Sequence, residues 1–276
     1  MQIGTLIRCA QITEERLAFL QGIGLNCIQL AGVFEEHLAP TSEARQKSEA
    51  LLTLLDKYGL AVPTMFLSYP NQNWANPREG IGIVPAATRA ERMIISCRLM
   101  EWCKRYNINS VTCHVGFVPE ERNEFYERFI LDMRQLARFA AAMGQEFLFE
   151  TGTETASHLK QTIDDIGEAN VGVNFDPANM LIYNNGTPAG IAELLGEKIK
   201  VIHCKDANPP ADGAEQGKET ALGAGSTNFA LLVQKLIKGG FNGPYIIERE
   251  ILPGPEQDRD IKEAVALIKS TVKGVK

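Results

Sequence analysis

Alternation is the feature that most narrows what this chain can become. Short β-rich runs give way repeatedly to longer segments of helical periodicity. The runs read as strands over Gln2–Ile7, Cys27–Leu30, Ala61–Leu67, Ser110–His114, Glu146–Glu150, Gly172–Asp176, Val201–Lys205 and Tyr245–Glu248. Most are continuous apolar stretches, as in a parallel sheet covered on both faces. The helical segments between them carry start and stop signals. Thr13 precedes two glutamates and reads as the N-cap of a helix to Leu20, since acid suits the positive helix N-terminus. Ser42–Tyr58 stops at Gly59 and Glu120–Met143 at Gly144, both suited to the left-handed residue after a helix. Arg89–Tyr106 and Glu120–Met143 read as long and amphipathic. Thr155–Ile166, Pro188–Leu195, Asn228–Ile237 and Asp258–Val272 complete the set.

Eight βα units in 276 residues predict an α/β chain folded as a single (β/α)8 TIM barrel over residues 1–276; the fold typically takes ~250 residues. An open doubly wound sheet would ask for a glycine-rich phosphate turn after the first strand. The chain reads Arg8-Cys9-Ala10-Gln11 there. No linker, low-complexity run or short repeat marks a domain boundary. Two connections exceed the usual span of about 2–6 residues: Ser68–Pro85 and Ala207–Thr227. Both follow strand C-termini, where barrel active sites are built, so each reads as a lid or substrate wall as readily as a solvated loop. Trp74 tilts the first towards substrate contact.

Composition removes several function classes. Apolar residues make up 45% and charged residues 22%, within the globular range. Lys plus Arg is 28 against 34 Asp plus Glu, a balance of −6. That balance speaks against nucleic acid and anionic membrane as partners, because phosphate binding draws on clustered positive charge. None of the six cysteines forms a C-x-x-C pair, which removes zinc-ribbon and thioredoxin-type motifs. Five lie in apolar runs and read as core, with Cys103 the exception. A chain of this length needs no disulfides, which suggests a reducing compartment. The start, MQIGTLIRCA, lacks the pattern of a signal peptide, and no apolar run approaches the roughly 20 residues of a spanning helix. The expected location is the cytoplasm.

The last five strands end on polar residues that a buried strand would not choose. They are His114 in VTCHVG, Glu150 in FLFETG and Asp176 in VGVNFDPAN, then His203, Lys205 and Asp206 in VIHCKDAN, and Glu248 and Glu250 in YIIERE. In a barrel these ends converge on one mouth. Hard carboxylate oxygens with one imidazole suit Mn2+, Mg2+ or Co2+, with Zn2+ as a further candidate. Each residue also has a structural alternative. Asp176 reads equally as the N-cap of the next helix. His114 reads as a hydrogen-bonded structural histidine, and Lys205 as an ion-pair partner of Asp176 or Glu248. Glu150 follows Phe147, Leu148 and Phe149, and an unpaired buried carboxylate is expensive. The succession of ligand-type residues at strands five to eight carries the argument.

On these segments, FLFETG, VGVNFDPAN, VIHCKD and GFNGPYIIERE, the chain resembles the xylose isomerase-like TIM-barrel superfamily of sugar isomerases, epimerases and inosose dehydratases. The resemblance spans nearly the whole sequence and is strongest from Ser110 to Glu248. It implies one divalent metal ion on Glu150, Asp176, His203 and Glu248, with Mn2+ foremost. Glu248 is preferred to Glu250 because the family motif uses the first glutamate after the apolar strand. The His203-Cys204-Lys205-Asp206 element and GKETALGAGSTNF are also similar to family segments. Departures lie around the ligands. Related ketose 3-epimerases carry a His where this chain has Asn179, an Arg where it has Pro209, and a substrate-binding Glu where it has Ala156, with Glu154 nearby.

The resemblance implies a sugar or cyclitol substrate and proton transfer through an enediolate. A divalent metal polarises a carbonyl as a Lewis acid, and flanking carboxylates move the α-proton. Glu150 and Glu248 are the expected acid/base pair. Lys205, His114, Asn179 and Trp74 are the expected substrate contacts. Three other readings stay in view: an inosose-type dehydratase on the same site, a non-catalytic sugar-binding barrel, and an apurinic endonuclease. The last needs a histidine-rich three-zinc cluster, whereas this chain has four histidines and an acidic balance. Homodimers or homotetramers are frequent in the family.

Overall fold

The computed structural model describes residues 1–73 and 75–275; Trp74 lies outside them. Among these residues the strands are β1 Ile3–Arg8, β2 Cys27–Ala31, β3 Ala61–Phe66, β4 Ser110–Cys113, β5 Glu146–Glu150, β6 Val171–Phe175, β7 Ile199–Cys204, β8 Asp206–Asn208, β9 Lys218–Thr220 and β10 Tyr245–Ile247. The helices are α1 Glu14–Gly22, α2 Glu35–Leu38, α3 Ser42–Lys57, α4 Pro77–Gly80, α5 Ala86–Arg105, α6 Glu124–Ala142, α7 Ala156–Ile166, α8 Pro177–Ile182, α9 Pro188–Leu195, α10 Phe229–Lys238 and α11 Pro255–Lys273. Eight strands close into a parallel barrel in the order β1-β10-β7-β6-β5-β4-β3-β2, and β8 and β9 form a separate two-stranded sheet. This is the expected (β/α)8 fold. No helix of the described residues is long and apolar enough to cross a membrane.

Element boundaries depart from the sequence expectation by a few residues, and each shift has a local cause. The Thr13 hydroxyl accepts the amide of Arg16 at 3.1 Å, so α1 starts where the cap requires. The sixth helix begins at Glu124 rather than Glu120, because Asn123 caps it by accepting the amide of Tyr126 at 3.1 Å. The last begins at Pro255 rather than Asp258, with proline in its first turn, where a missing N–H costs nothing.

Contacts divide the chain into two units: Met1–Thr5, Phe149–Asp165 and Gly172–Lys276; and Leu6–Leu148 and Ile166–Val171. In the second unit the amphipathic expectation for α5 fails at its first half. Its buried face carries Arg89, Arg92 and Ser96 ahead of Leu99, Met100, Trp102 and Cys103. The two guanidiniums are satisfied by the chain just before the helix. Arg89 donates to the carbonyls of Ile83 and Val84, and Arg92 to those of Gly80 and Gly82. Arg89 also pairs with buried Asp132 at 3.3 Å. These bonds supply the partners that buried charge requires. The cysteine reading is corrected as well: Cys103 is fully buried, whereas Cys9 and Cys97 are half-buried. Cys9 lies just past β1 in a short turn of helix, outside the strand's apolar run.

In the first unit, register brings strand ends level. On β7, His203 stands opposite Ile246 of β10 and Ile202 opposite Phe175 of β6. Asp176 and Glu248, each just beyond its strand, therefore reach the height of His203 and Lys205. Thr151 ties the end of β5 to that of β6. Its hydroxyl donates to the carbonyl of Asp176 and accepts the amide of Asp176, both at 2.9 Å.

Candidate metal centre

Four side chains from four consecutive barrel strands meet at this level. Ligand-type atoms of Glu150, Asp176, His203 and Glu248 all lie within 4.8 Å of one another. His203 Nδ1 is 3.1 Å from Glu150 Oε1, 3.1 Å from Glu248 Oε2 and 3.7 Å from Asp176 Oδ2. All four are deeply buried, with only Glu248 retaining a sliver of exposure. Asp176 performs both roles that its sequence position allows. Its Oδ1 accepts the amides of Ala178 and Asn179 at 2.8 and 3.0 Å, capping α8. Its Oδ2 is buried without a hydrogen bond and faces the cluster.

Lys205 lies beside this group, itself buried. Its ammonium is 3.2 Å from Glu248 Oε2 and 3.6 Å from Asp176 Oδ2, and donates to Asn179 Oδ1 at 3.3 Å. It also meets Glu250. Asn179 is thus part of the same polar cluster. His114, by contrast, follows β4 and is buried, and it is not among the four clustered donors. The expected contact at Trp74 falls outside the described residues. Glu250 is also outside the four, consistent with its exposed side chain.

Charge governs these groups. Burial pushes Glu150 up to about 7; His203 opposes that shift, and the carboxylates of Glu248 and Asp176 add to it. Burial would also raise Asp176 and Glu248, but the positive charges of Lys205 and His203 outweigh it and hold both below the usual carboxylate range. Burial alone would lower His203 and Lys205, yet the surrounding carboxylates raise each well above its ordinary value. Three converging carboxylates repel one another unless a positive charge sits among them. A divalent cation fits this donor set by charge and by chemistry, three hard oxygens and one imidazole. The buried Asp176 oxygen, lacking any hydrogen bond, is the atom such an ion would satisfy.

Residues 17–271 match the family model described as a xylose isomerase-like TIM barrel. The chain belongs to that family. The structure of a xylose isomerase domain protein from Planctomyces limnophilus is similar over 99% of this chain and 97% of that one, with a TM-score of 0.87 and 27% identity. A D-psicose 3-epimerase from Clostridium cellulolyticum H10, solved with D-tagatose, shares the fold over the full length of both chains, with a TM-score of 0.68 at 16% identity. In sequence, the L-ribulose-5-phosphate 3-epimerase UlaE of Escherichia coli O157:H7 is 21% identical over 241 residues, 85% of this chain and 81% of that protein.

Sequence reasoning passed over two residues around this family member's cluster, Tyr183 and Glu219. Tyr183 follows α8, and burial together with the charge of Glu150 raises its phenol to about 12. Glu219 of β9 pairs with Arg249 at 2.8 Å and accepts the amide of Glu250. No spacing signal announces these residues. Tyr183 lies beyond a one-and-a-half-turn helix, and Glu219 sits 29 residues before Glu248 in a connection read as loop. The tight packing here also explains Gly152. Its φ is +146°, and a Cβ there would stand 2.5 Å from the Cβ of Asn179, a contact only glycine avoids.

Proposed function

We propose that this chain is a divalent-metal-dependent sugar or sugar-phosphate epimerase or isomerase that moves a proton through an enediolate. The carrying observation is the buried meeting of Glu150, Asp176, His203 and Glu248, with one Asp176 oxygen lacking a hydrogen bond. A 3-epimerase of L-ribulose 5-phosphate among its sequence relatives supports the reaction class. The four residues would hold one ion, Mn2+ foremost, with Mg2+, Co2+ or Zn2+ as alternatives. When bound, the ion supplies the Lewis acidity that polarises a carbonyl and acidifies the neighbouring C–H.

Glu150 and Glu248 each stand 3.1 Å from His203, on separate strand ends. One carboxylate takes the proton and the other returns it on the opposite face of the substrate carbon. Lys205 donates to a substrate oxygen and spreads the negative charge that develops there. Asn179, which accepts from Lys205 at 3.3 Å, orients that ammonium and contributes a polar contact to substrate. His114 and Trp74 are proposed substrate contacts on sequence grounds alone. A cytoplasmic location belongs to the same reading, on sequence grounds alone.

The first test is metal content after Mn2+ loading and desalting. The expected result is about one ion per chain, lost in Asp176→Ala and His203→Ala. Solvent deuterium uptake into ketoses and inososes then tests the acid/base pair. Glu150→Gln and Glu248→Gln should each lose at least ~100-fold in exchange rate, the usual scale for a positioned acid or base. Full turnover in both variants would refute the pair, and no retained metal under any loading would refute the metal reading. A conjugated, ultraviolet-absorbing product would identify dehydration instead.

A further inference from the structure

Three carboxylates surround the ammonium of Lys205, and they are not equivalent. Nζ lies 3.2 Å from Glu248 Oε2 and 3.6 Å from Asp176 Oδ2. Those two oxygens are also the ones that face His203 Nδ1, at 3.1 and 3.7 Å. A divalent ion and this ammonium would therefore compete for the same atoms, and like charges sharing oxygens repel. The third carboxylate, Glu250, is 2.5 Å from Nζ and belongs to no ligand set. Its side chain is 59% exposed, whereas that of Lys205 is 2% exposed. Its contact with the ammonium is shorter than either contact with the shared oxygens, so Glu250 competes with them for the charge of Lys205.

The backbone that presents Glu250 is clamped. Its amide donates to both carboxylate oxygens of Glu219, at 3.1 and 3.2 Å. Arg249 Nη1 pairs with the same Glu219 at 2.8 Å, and Nε with Asp260 Oδ2 at 2.9 Å. Gln257 Nε2 donates to the carbonyls of Arg249 and Ile251, at 2.9 and 3.1 Å. An exposed carboxylate ordinarily loses side-chain entropy by holding one geometry. Here the main chain on either side is already fixed, and the carboxylate has a buried partner.

We propose that Glu250 is a positioning residue for the metal centre, taking the closest contact with the Lys205 ammonium and so weakening its competition for the ligand oxygens of Asp176 and Glu248, so that ion and ammonium coexist. This rests on the metal reading given above. The geometry makes Glu250 act through Lys205, and that route is what an experiment can isolate.

The test is Mn2+ binding to the metal-free chain, followed by titration calorimetry in wild type, Glu250→Gln, Lys205→Met and the double variant. Glu250→Gln should weaken Mn2+ binding about tenfold, the scale carried by partners of metal ligands. Lys205→Met should bind at least as tightly as wild type, and adding Glu250→Gln to it should change little, a strongly non-additive cycle. Glu250→Asp should recover part of the loss. Lys205→Gln serves as a second probe where Lys205→Met folds poorly. A merely structural role would lower the metal-free melting temperature and leave the cycle additive. Unchanged Mn2+ affinity in Glu250→Gln, or an equal loss with and without Lys205, overturns the inference while leaving the metal site standing. If wild type itself binds no Mn2+, the metal reading fails and this inference falls with it.

Discussion

Asp176 divides one carboxylate between architecture and chemistry. Oδ1 holds the first amides of α8, and Oδ2 is left for the cluster. Asparagine caps helices as well as aspartate does but carries no charge. Asp176→Asn should therefore abolish metal retention while the amides of Ala178 and Asn179 keep their protection from hydrogen exchange; Asp176→Ala should lose both. Glu154 offers a second residue-scale prediction. It is buried, its Oε1 has no hydrogen bond, and burial raises it from 4.5 to about 7, opposed only by a bond from Thr153. A raised folded pKa contributes stability below the unfolded value that is lost as pH rises through the folded one. Glu154→Gln should thus stabilise the protein at pH 8 by on the order of 2–3 kcal/mol, with the gain vanishing near pH 4.5. Chemical denaturation at the two pH values measures it. Strand-end polarity made Glu150, Asp176, His203 and Glu248 legible as candidates beside His114, Lys205, Asp206 and Glu250, and the family resemblance was needed to single out the four. The work of Glu250 was not legible, because it depends on which neighbour an exposed side chain meets.

At the scale of elements, the connection after β7 is an ordered arm built on Asp206. That carboxylate accepts the amides of Ala207, Gly223, Gly225 and Thr227 and the hydroxyl of Thr227, at 2.8 to 3.1 Å. Gly225 has to be glycine, since a Cβ would lie 2.3 Å from Asp206 Oδ1. The β8–β9 pair runs on from this knot, with Asp206 opposite Thr220 and Asn208 opposite Lys218. Asp206→Ala strands several amides at once. It should speed hydrogen exchange at residues 223, 225 and 227 and cost about 3 kcal/mol; unchanged exchange would refute the knot. The arm was legible as a long connection. Its hairpin was not, because three-residue strands leave no period to read. The polar face of α5 escaped for a related reason: an amphipathic period puts charge towards solvent, whereas the carbonyls of residues 80 to 84, with Asp132 beside Arg89, bring Arg89 and Arg92 inside.

For the whole molecule, the eight-fold alternation was enough to specify the barrel, because parallel strands covered on both faces leave long apolar runs. All eight barrel strands were legible to within two residues at each end. Domain count is a separate matter, and we propose that the two contact units unfold together as one domain. Thermal unfolding of the metal-free chain should then give a single transition, with calorimetric and van't Hoff enthalpies equal. Two resolved transitions would refute it. The bond from the Glu250 amide to Glu219 sets a rule for anyone recasting substrate choice by transplanting the arm after β7. A donor arm without an acid at position 219 would leave the main chain at 250 unanchored, and with it the carboxylate that restrains Lys205. Arm and strand end therefore form one exchangeable module, and a graft that splits them would change ion retention before it changed specificity.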